Sequence, residues 1–273
     1  MAVTLADIKK LREMTQAGMM DCKSALEEAA GDFQRAIEII REKGKLVASK
    51  RADRTATEGV VVAEVKGTKA YMVCLACETD FVAQVDTFGQ TARQILDIAV
   101  ASDAKDLETL LTCKAADGRT VADLVTEKTG QTGEKVEIPY YGRIEAAYCT
   151  QYVHFNKKLG SLIGFNKVVP ETIAHEVAMQ ATAMAPVSIS ADDCPAETLE
   201  EERKVGREQA RLDGKPEAML DRIAEGKVQK FLKENTLLAQ PSNSNPKLSV
   251  ADTIKAVDAE ATVVAYKRFS LND

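Results

Sequence analysis

The run Val60-Val61-Val62-Ala63-Glu64-Val65, the break Lys66-Gly67-Thr68-Lys69 and the run Tyr71-Met72-Val73-Cys74-Leu75-Ala76 decide the fold class of this chain. Two segments rich in β-branched residues, split by a short Gly-containing break, are the signature of an antiparallel hairpin. An apolar stripe follows at once. Phe81, Val85, Phe88, Ala92, Ile95, Leu96 and Ala99 recur at helical spacing and predict one helix from about Phe81 to Val100. The order of parts then repeats. Tyr148 to Phe155 reads as a strand, Asn156-Lys157-Lys158 as a turn and Leu159 to Phe165 as a second strand. A helix from Pro170 to Met184 follows, ended by Pro186. The two strand–turn–strand–helix units lie about 88 residues apart, which points to a duplicated core.

Outward from this core, residues 4–44 carry three short helical patterns. Leu5, Ile8 and Leu11 mark the first, and Asp21 precedes the second, with Cys22, Ala25, Leu26 and Ala29. Asp32 is a good N-cap for the third, whose stripe is Phe33, Ala36, Ile37 and Ile40, and Gly44 stands where a C-terminal cap belongs. Residues 45–57 are basic and alanine-rich without an apolar period, which predicts a linker or a lightly packed helix. Residues 196–234 are mostly charged, and Asp213-Gly214-Lys215-Pro216 breaks them near the middle. Two antiparallel helices with so little apolar surface predict a projecting hairpin, either solvated or partner-binding. Gln240 to Pro246 is a loop, Val250 to Val257 a short helix, and Ala261 to Phe269 alternates like a closing strand. The expected class is α+β. The expected domains are 1–54, 55–140, 141–195 with 236–273, and an insertion at 196–235.

Composition narrows the function classes. A net charge of −6 argues against a chain held on nucleic acid by phosphate neutralisation. Met1 to Lys10 lacks an apolar h-region, and no apolar run approaches the roughly 18 residues of a membrane span, so a cytoplasmic protein is expected. The 6 cysteines form no dense framework and read as reduced thiols. Cys74-Leu75-Ala76-Cys77 is a CxxC, but it lies inside a predicted strand, whereas a redox pair opens a helix. With 2 histidines in the chain, most His-based catalytic and metal constellations fall away. His175-Glu176 fails as a zincin helix because Met179 stands at the second ligand position. Neither a P-loop nor a GxGxxG element is present, so no enzyme is expected.

Two segments resemble the elongation factor Ts family. Leu11-Arg12-Glu13-Met14-Thr15-Gln16-Ala17-Gly18-Met19-Met20-Asp21-Cys22-Lys23-Ser24-Ala25-Leu26 matches the family's N-terminal signature nearly throughout. Glu78-Thr79-Asp80-Phe81-Val82-Ala83 matches at the strand-to-helix junction. Tyr152-Val153-His154, Leu159-Gly160, Gly214-Lys215-Pro216, Lys230-Phe231 and Gln240-Pro241 follow in the family's order. Ala76, Gln84 and Gln180 depart from it, the last standing where a histidine is common.

The resemblance implies a ubiquitin-associated-like three-helix module over 1–54, duplicated α+β core subdomains of antiparallel strands plus helices, and a coiled-coil-like hairpin insertion. It implies a guanine-nucleotide exchange factor for the GTPase elongation factor Tu, acting on the magnesium and phosphate side of the nucleotide site, with no cofactor and no metal of its own. Thr79, Asp80, Phe81 and Val82 would then be the partner-binding residues, with Phe81 as a wedge and Asp80 disfavouring the magnesium arrangement. Met19, Met20, His154, Leu159 and Gly160 would be further contacts. The second core subdomain and the hairpin are the candidate surfaces for a homo-oligomer. Read by pattern alone, Asp80 is a helix N-cap and Phe81 the first core residue of its stripe. The rival functions are a thiol redox or metal-binding protein using Cys74 and Cys77, and a scaffold using only the N-terminal module.

Overall fold

The computed structural model describes residues 3–272. The chain is α+β and divides into two compact units, residues 1–62 with 72–142 and 270–273, and residues 63–71 with 143–269.

In the first unit, α1 (Leu5–Thr15) opens with a capping box, in which Thr4 and Asp7 each bond the other's backbone N–H. It packs with α2 (Met19–Glu28) and α3 (Phe33–Arg51) around Leu11, Cys22, Leu26 and Ala36. Met19 and Met20 are thus the first residues of α2, and Asp21 lies in its first turn rather than before it. The third helix does not stop at Gly44. It runs on to Arg51 through most of the expected linker, because Gly44 is a crossing point and not a cap. A Cβ added at Gly130 would lie 2.6 Å from Gly44 Cα, so α3 and α7 (Val121–Thr132) approach at backbone distance only with glycine there.

The strands β1 (Glu58–Lys66), β2 (Lys69–Cys77) and β3 (Glu137–Glu145) pair in that order. After β2 come α4 (Asp80–Ala83) and α5 (Asp86–Ser102), where the pattern predicts one helix. The backbone of Val85 is extended, with φ −72° and ψ 128°, and interrupts the helical run. Only the part from Phe88 onward packs: Phe88, Ala92, Ile95, Leu96 and Ala99 are buried, while Phe81 and Val85 are exposed. The short helix α6 (Leu107–Thr112) precedes α7.

The second unit repeats the plan. Strand β4 (Tyr148–Val153) pairs antiparallel with β5 (Leu159–Phe165), from Tyr148 opposite Phe165 to Val153 opposite Gly160. The sheet closes with β6 (Val263–Ser270) in the order β4-β5-β6. Helix α8 (Glu171–Met184) covers it, burying Ala174, Val177, Ala178 and Ala181 against Ile163, Phe165 and Val263. Gln180 is buried there, and its amide donates to Gln240 Oε1 at 3.2 Å and the Pro241 carbonyl at 3.0 Å. Its Oε1 accepts from the Asn243 N–H at 2.9 Å, so this departure from the family pattern ties the 240–243 loop to α8.

Helices α9 (Ala196–Leu212) and α10 (Glu217–Asn235) form the hairpin, turned at Gly214 with φ 71°. Their seam is thin, with Gly206, Ala210, Leu220, Ala224 and Val228 buried. Arg203 pairs with Glu225, Arg207 with Asp221 and Arg211 with Glu217, a descending order that fixes an antiparallel register. Exposed pairs of this kind stabilise by about 0–1 kcal/mol each, so they set alignment more than stability. The short α11 (Val250–Lys255) starts at a Ser249–Asp252 capping box.

Candidate functional site

The junction between β2 and α5 is built to hold one turn of helix away from the core. Thr79 is the N-cap residue of α4, not Asp80, which is the first helical residue. Yet the Thr79 side chain does not cap the helix. Its hydroxyl donates to Glu134 Oε1 at 2.6 Å. The other oxygen of Glu134 accepts the backbone N–H groups of Glu78 at 3.1 Å and Thr79 at 3.0 Å. In return, Glu78 Oε1 accepts the Lys135 N–H at 2.7 Å, and both its oxygens lie 3.1 Å from Arg51 Nη1. Two carboxylates therefore hold each other's neighbouring backbone. The Lys135 amide, followed by the Arg51 charge, keeps the Glu78 carboxyl below the usual glutamate range against some desolvation. The buried Cys77 thiol adds a bond to the Thr79 carbonyl at 3.2 Å.

On this brace, Ala83 N–H reaches the Thr79 carbonyl at 3.2 Å and Gln84 N–H the Asp80 carbonyl at 3.0 Å, closing a single turn. Asp80 is exposed, and the Phe81 ring is 82% exposed. Burying such a ring stabilises by about 1.5–3 kcal/mol, and here that gain is left unrealised. The ring is thus a large exposed aromatic on a rigid support.

The other candidate residues form two further groups. Met19 packs on the three-helix core while Met20, its neighbour on α2, is 74% exposed. His154, Leu159 and Gly160 come together at the β4–β5 turn, where the His154 N–H donates to the Leu159 carbonyl at 2.9 Å. Tyr152 Oη lies 3.2 Å from His154 Nδ1, and the Tyr152 ring meets His175 edge-on at 5.4 Å between centroids. Phe155, which the pattern places in the strand, lies past its end. It is 86% exposed, and its ring meets that of His154 at a tilt of 51°, with centroids 4.4 Å apart. Sequence reasoning missed Phe155, Glu134 and Arg51. A lone aromatic beside a polar turn could have flagged the first, but no local signal marks the other two.

Cys74 and Cys77 are fully buried in β2. Burial pushes the Cys77 thiol up to about 12 and Cys74 higher still, the reverse of what a redox or metal-binding thiolate needs. Among the described residues no cluster of His, Cys, Asp or Glu is arranged to hold a metal ion, and no helix is long and apolar enough to cross a membrane.

The model of the elongation factor TS family matches residues 78–273, beginning at the junction itself. An elongation factor Ts of Azobacteroides pseudotrichonymphae is 44% identical over 273 residues, covering 100% of this chain and 99% of its own. One of Porphyromonas gingivalis is 45% identical over 272 residues, with 100% and 99% covered. That of Christiangramia forsetii is 44% identical, with 98% of each chain covered. Both the extent and the level of identity are those of common descent over the whole chain, which belongs to the elongation factor Ts family.

Proposed function

We propose that this chain is a guanine-nucleotide exchange factor for elongation factor Tu, releasing GDP by disturbing the magnesium and phosphate side of the nucleotide site. The observation that carries this reading is the exposed Phe81 on its braced turn. Phe81 enters between helices of the GTPase, and Asp80 beside it disfavours the magnesium arrangement. Because Glu134 and Glu78 already fix the turn, little ordering entropy is lost when it docks.

Magnitude limits what the wedge does alone. About 1.5–3 kcal/mol from one ring corresponds to roughly ten- to a hundredfold in an equilibrium constant. Larger effects draw on Met20 and on the His154, Leu159 and Gly160 group. Coupling is reciprocal: a factor that weakens GDP binding is itself weakened by GDP to the same degree, so the output is exchange. Release of a fluorescent GDP analogue from elongation factor Tu, with and without the protein, tests the reading. No acceleration by the intact chain overturns it.

A further inference from the structure

In the first unit, one short stretch of chain holds both the three-helix module and the Phe81 turn. It begins near the C-terminus of α7, where Gln131 donates from Nε2 to the Thr15 carbonyl at 2.7 Å. Thr15 ends α1, whose last carbonyls have no helical partners, so Gln131 caps that helix from outside. Three residues on, Glu134 takes the Glu78 and Thr79 amides and the Thr79 hydroxyl that fix the turn. Between these points the chain is tied to itself. Glu134 N–H donates to Thr132 Oγ1 at 3.2 Å, that hydroxyl donates to the Lys128 carbonyl at 2.9 Å, and Val136 N–H donates to Thr129 Oγ1 at 3.2 Å. Helix α3 spans the same interval: it crosses α7 at Gly44 and ends with Arg51 against Glu78.

Packing between these links is loose. A cavity of about 330 Å³ is lined by Met14, Ile37 and Ile40 of the module and by Thr91, Gln94 and Leu124 of the core. With that space unfilled, contact area restrains the module weakly, and its direction depends on the few bonded points. Gln131 adds direction and little stability. Its Oε1 is buried without a donor, so an apolar side chain of similar length would lose one bond and one unsatisfied acceptor together. The anchored carbonyl also stands just before the short link to α2, whose second residue is the exposed Met20.

We propose that Gln131 is a positioning residue for exchange: it holds the three-helix module in fixed register with the Phe81 turn, so that Met20 and Phe81 meet the GTPase as one rigid two-point surface. Two contacts on a rigid support bind together without the ordering cost that a loose module would add. Gln131 acts through the module and needs no contact of its own with the partner. The inference rests on the exchange function proposed above, and its test is separable from it.

Gln131→Leu tests this in two ways. In the free protein, spin labels at Met20→Cys and Phe81→Cys report the distance between module and turn, with Cys113→Ser removing the one thiol that is not buried. The distribution is expected to be narrow with Gln131 in place and to broaden in the variant. In GDP release from elongation factor Tu, Gln131→Leu should raise KM for the GTPase about three- to tenfold at unchanged kcat, with the melting temperature within about 2 °C of wild type. In a Met20→Ala background the same substitution should change KM less than about twofold, because the contact it positions is gone. An equally narrow distribution in the variant overturns the inference, as does an unchanged KM. A KM effect undiminished in the Met20→Ala background, or a lowered melting temperature with kcat falling in parallel, makes Gln131 merely structural and overturns it too. Absence of exchange by wild type overturns the proposed function and this role with it; a distribution that still broadens would then show the lock without the exchange.

Discussion

The two strand–strand–helix repeats differ most at the step from second strand to helix. After β5, Asn166 ties the junction into its own unit: its amide donates to the Glu260 carbonyl and accepts from the Thr262 N–H, each at 2.8 Å. Val169 is then buried and Pro170 is the N-cap residue of α8, though Val168 beside Val169 faces solvent. After β2, the polar bonds come from Glu134 and Glu78, and what they secure is an extra turn that keeps Phe81 out of the core. One junction uses its hydrogen bonds to seal a core. The other uses them to display an aromatic. Equivalent topology leaves this choice open, and the source of the bracing atoms decides it.

Phe81→Ala should break the comparison most sharply. With the ring already exposed, its removal should leave the melting temperature within about 1 °C while lowering kcat/KM for GDP release roughly ten- to a hundredfold. A loss of stability equal to the loss of exchange would make Phe81 a core residue after all. Glu134→Ala attacks the brace instead. It strips the acceptor from the Glu78 and Thr79 amides and the Thr79 hydroxyl, which should cost about 1–3 kcal/mol of stability and lower exchange severalfold. Faster hydrogen exchange at those two amides is the accompanying signature. Val169→Ala is the control at the other junction. It should cost about 1–3 kcal/mol by lost burial and leave exchange by the folded protein untouched.

The hairpins and the long charged helices were legible because period-two runs and a Gly-Lys-Pro break are local signals. The turn at α4 was not. Val85 falls four residues after Phe81 and three before Phe88, so the stripe runs on as if one helix were continuous. The bracing of the turn depends on Glu134, far away in sequence, which no window around Phe81 contains. Gly44 misled for a related reason: a glycine reads alike as a cap and as a close approach, and only the position of Gly130 distinguishes them. Only the resemblance, and not the pattern, singled out Thr79 to Val82. It included Glu78 in the matching segment but did not supply Glu134, whose carboxylate holds the Glu78 and Thr79 amides.

The smallest effect concerns acid, and it separates the junctions by their carboxylates. Glu78 at the first is held below the ordinary glutamate value of 4.5, chiefly by the Lys135 amide. Asp258 at the second is held below the ordinary aspartate value of 3.8, chiefly by the Glu260 amide and, less, by Lys167. A depressed folded pKa contributes stability that is present above the unfolded value and lost as pH falls through the folded one. The contribution of Glu78 should therefore begin to decline below 4.5, before that of Asp258 declines below 3.8. Hydrogen exchange at the Lys135 amide should accelerate at milder acid than at the Glu260 amide. Glu78→Gln keeps an acceptor for Lys135 without a titrating group, so it should abolish the first acceleration and leave the second in place. Simultaneous opening of both amides in the variant would mean that acid acts on the whole fold and that the brace is not a separate unit.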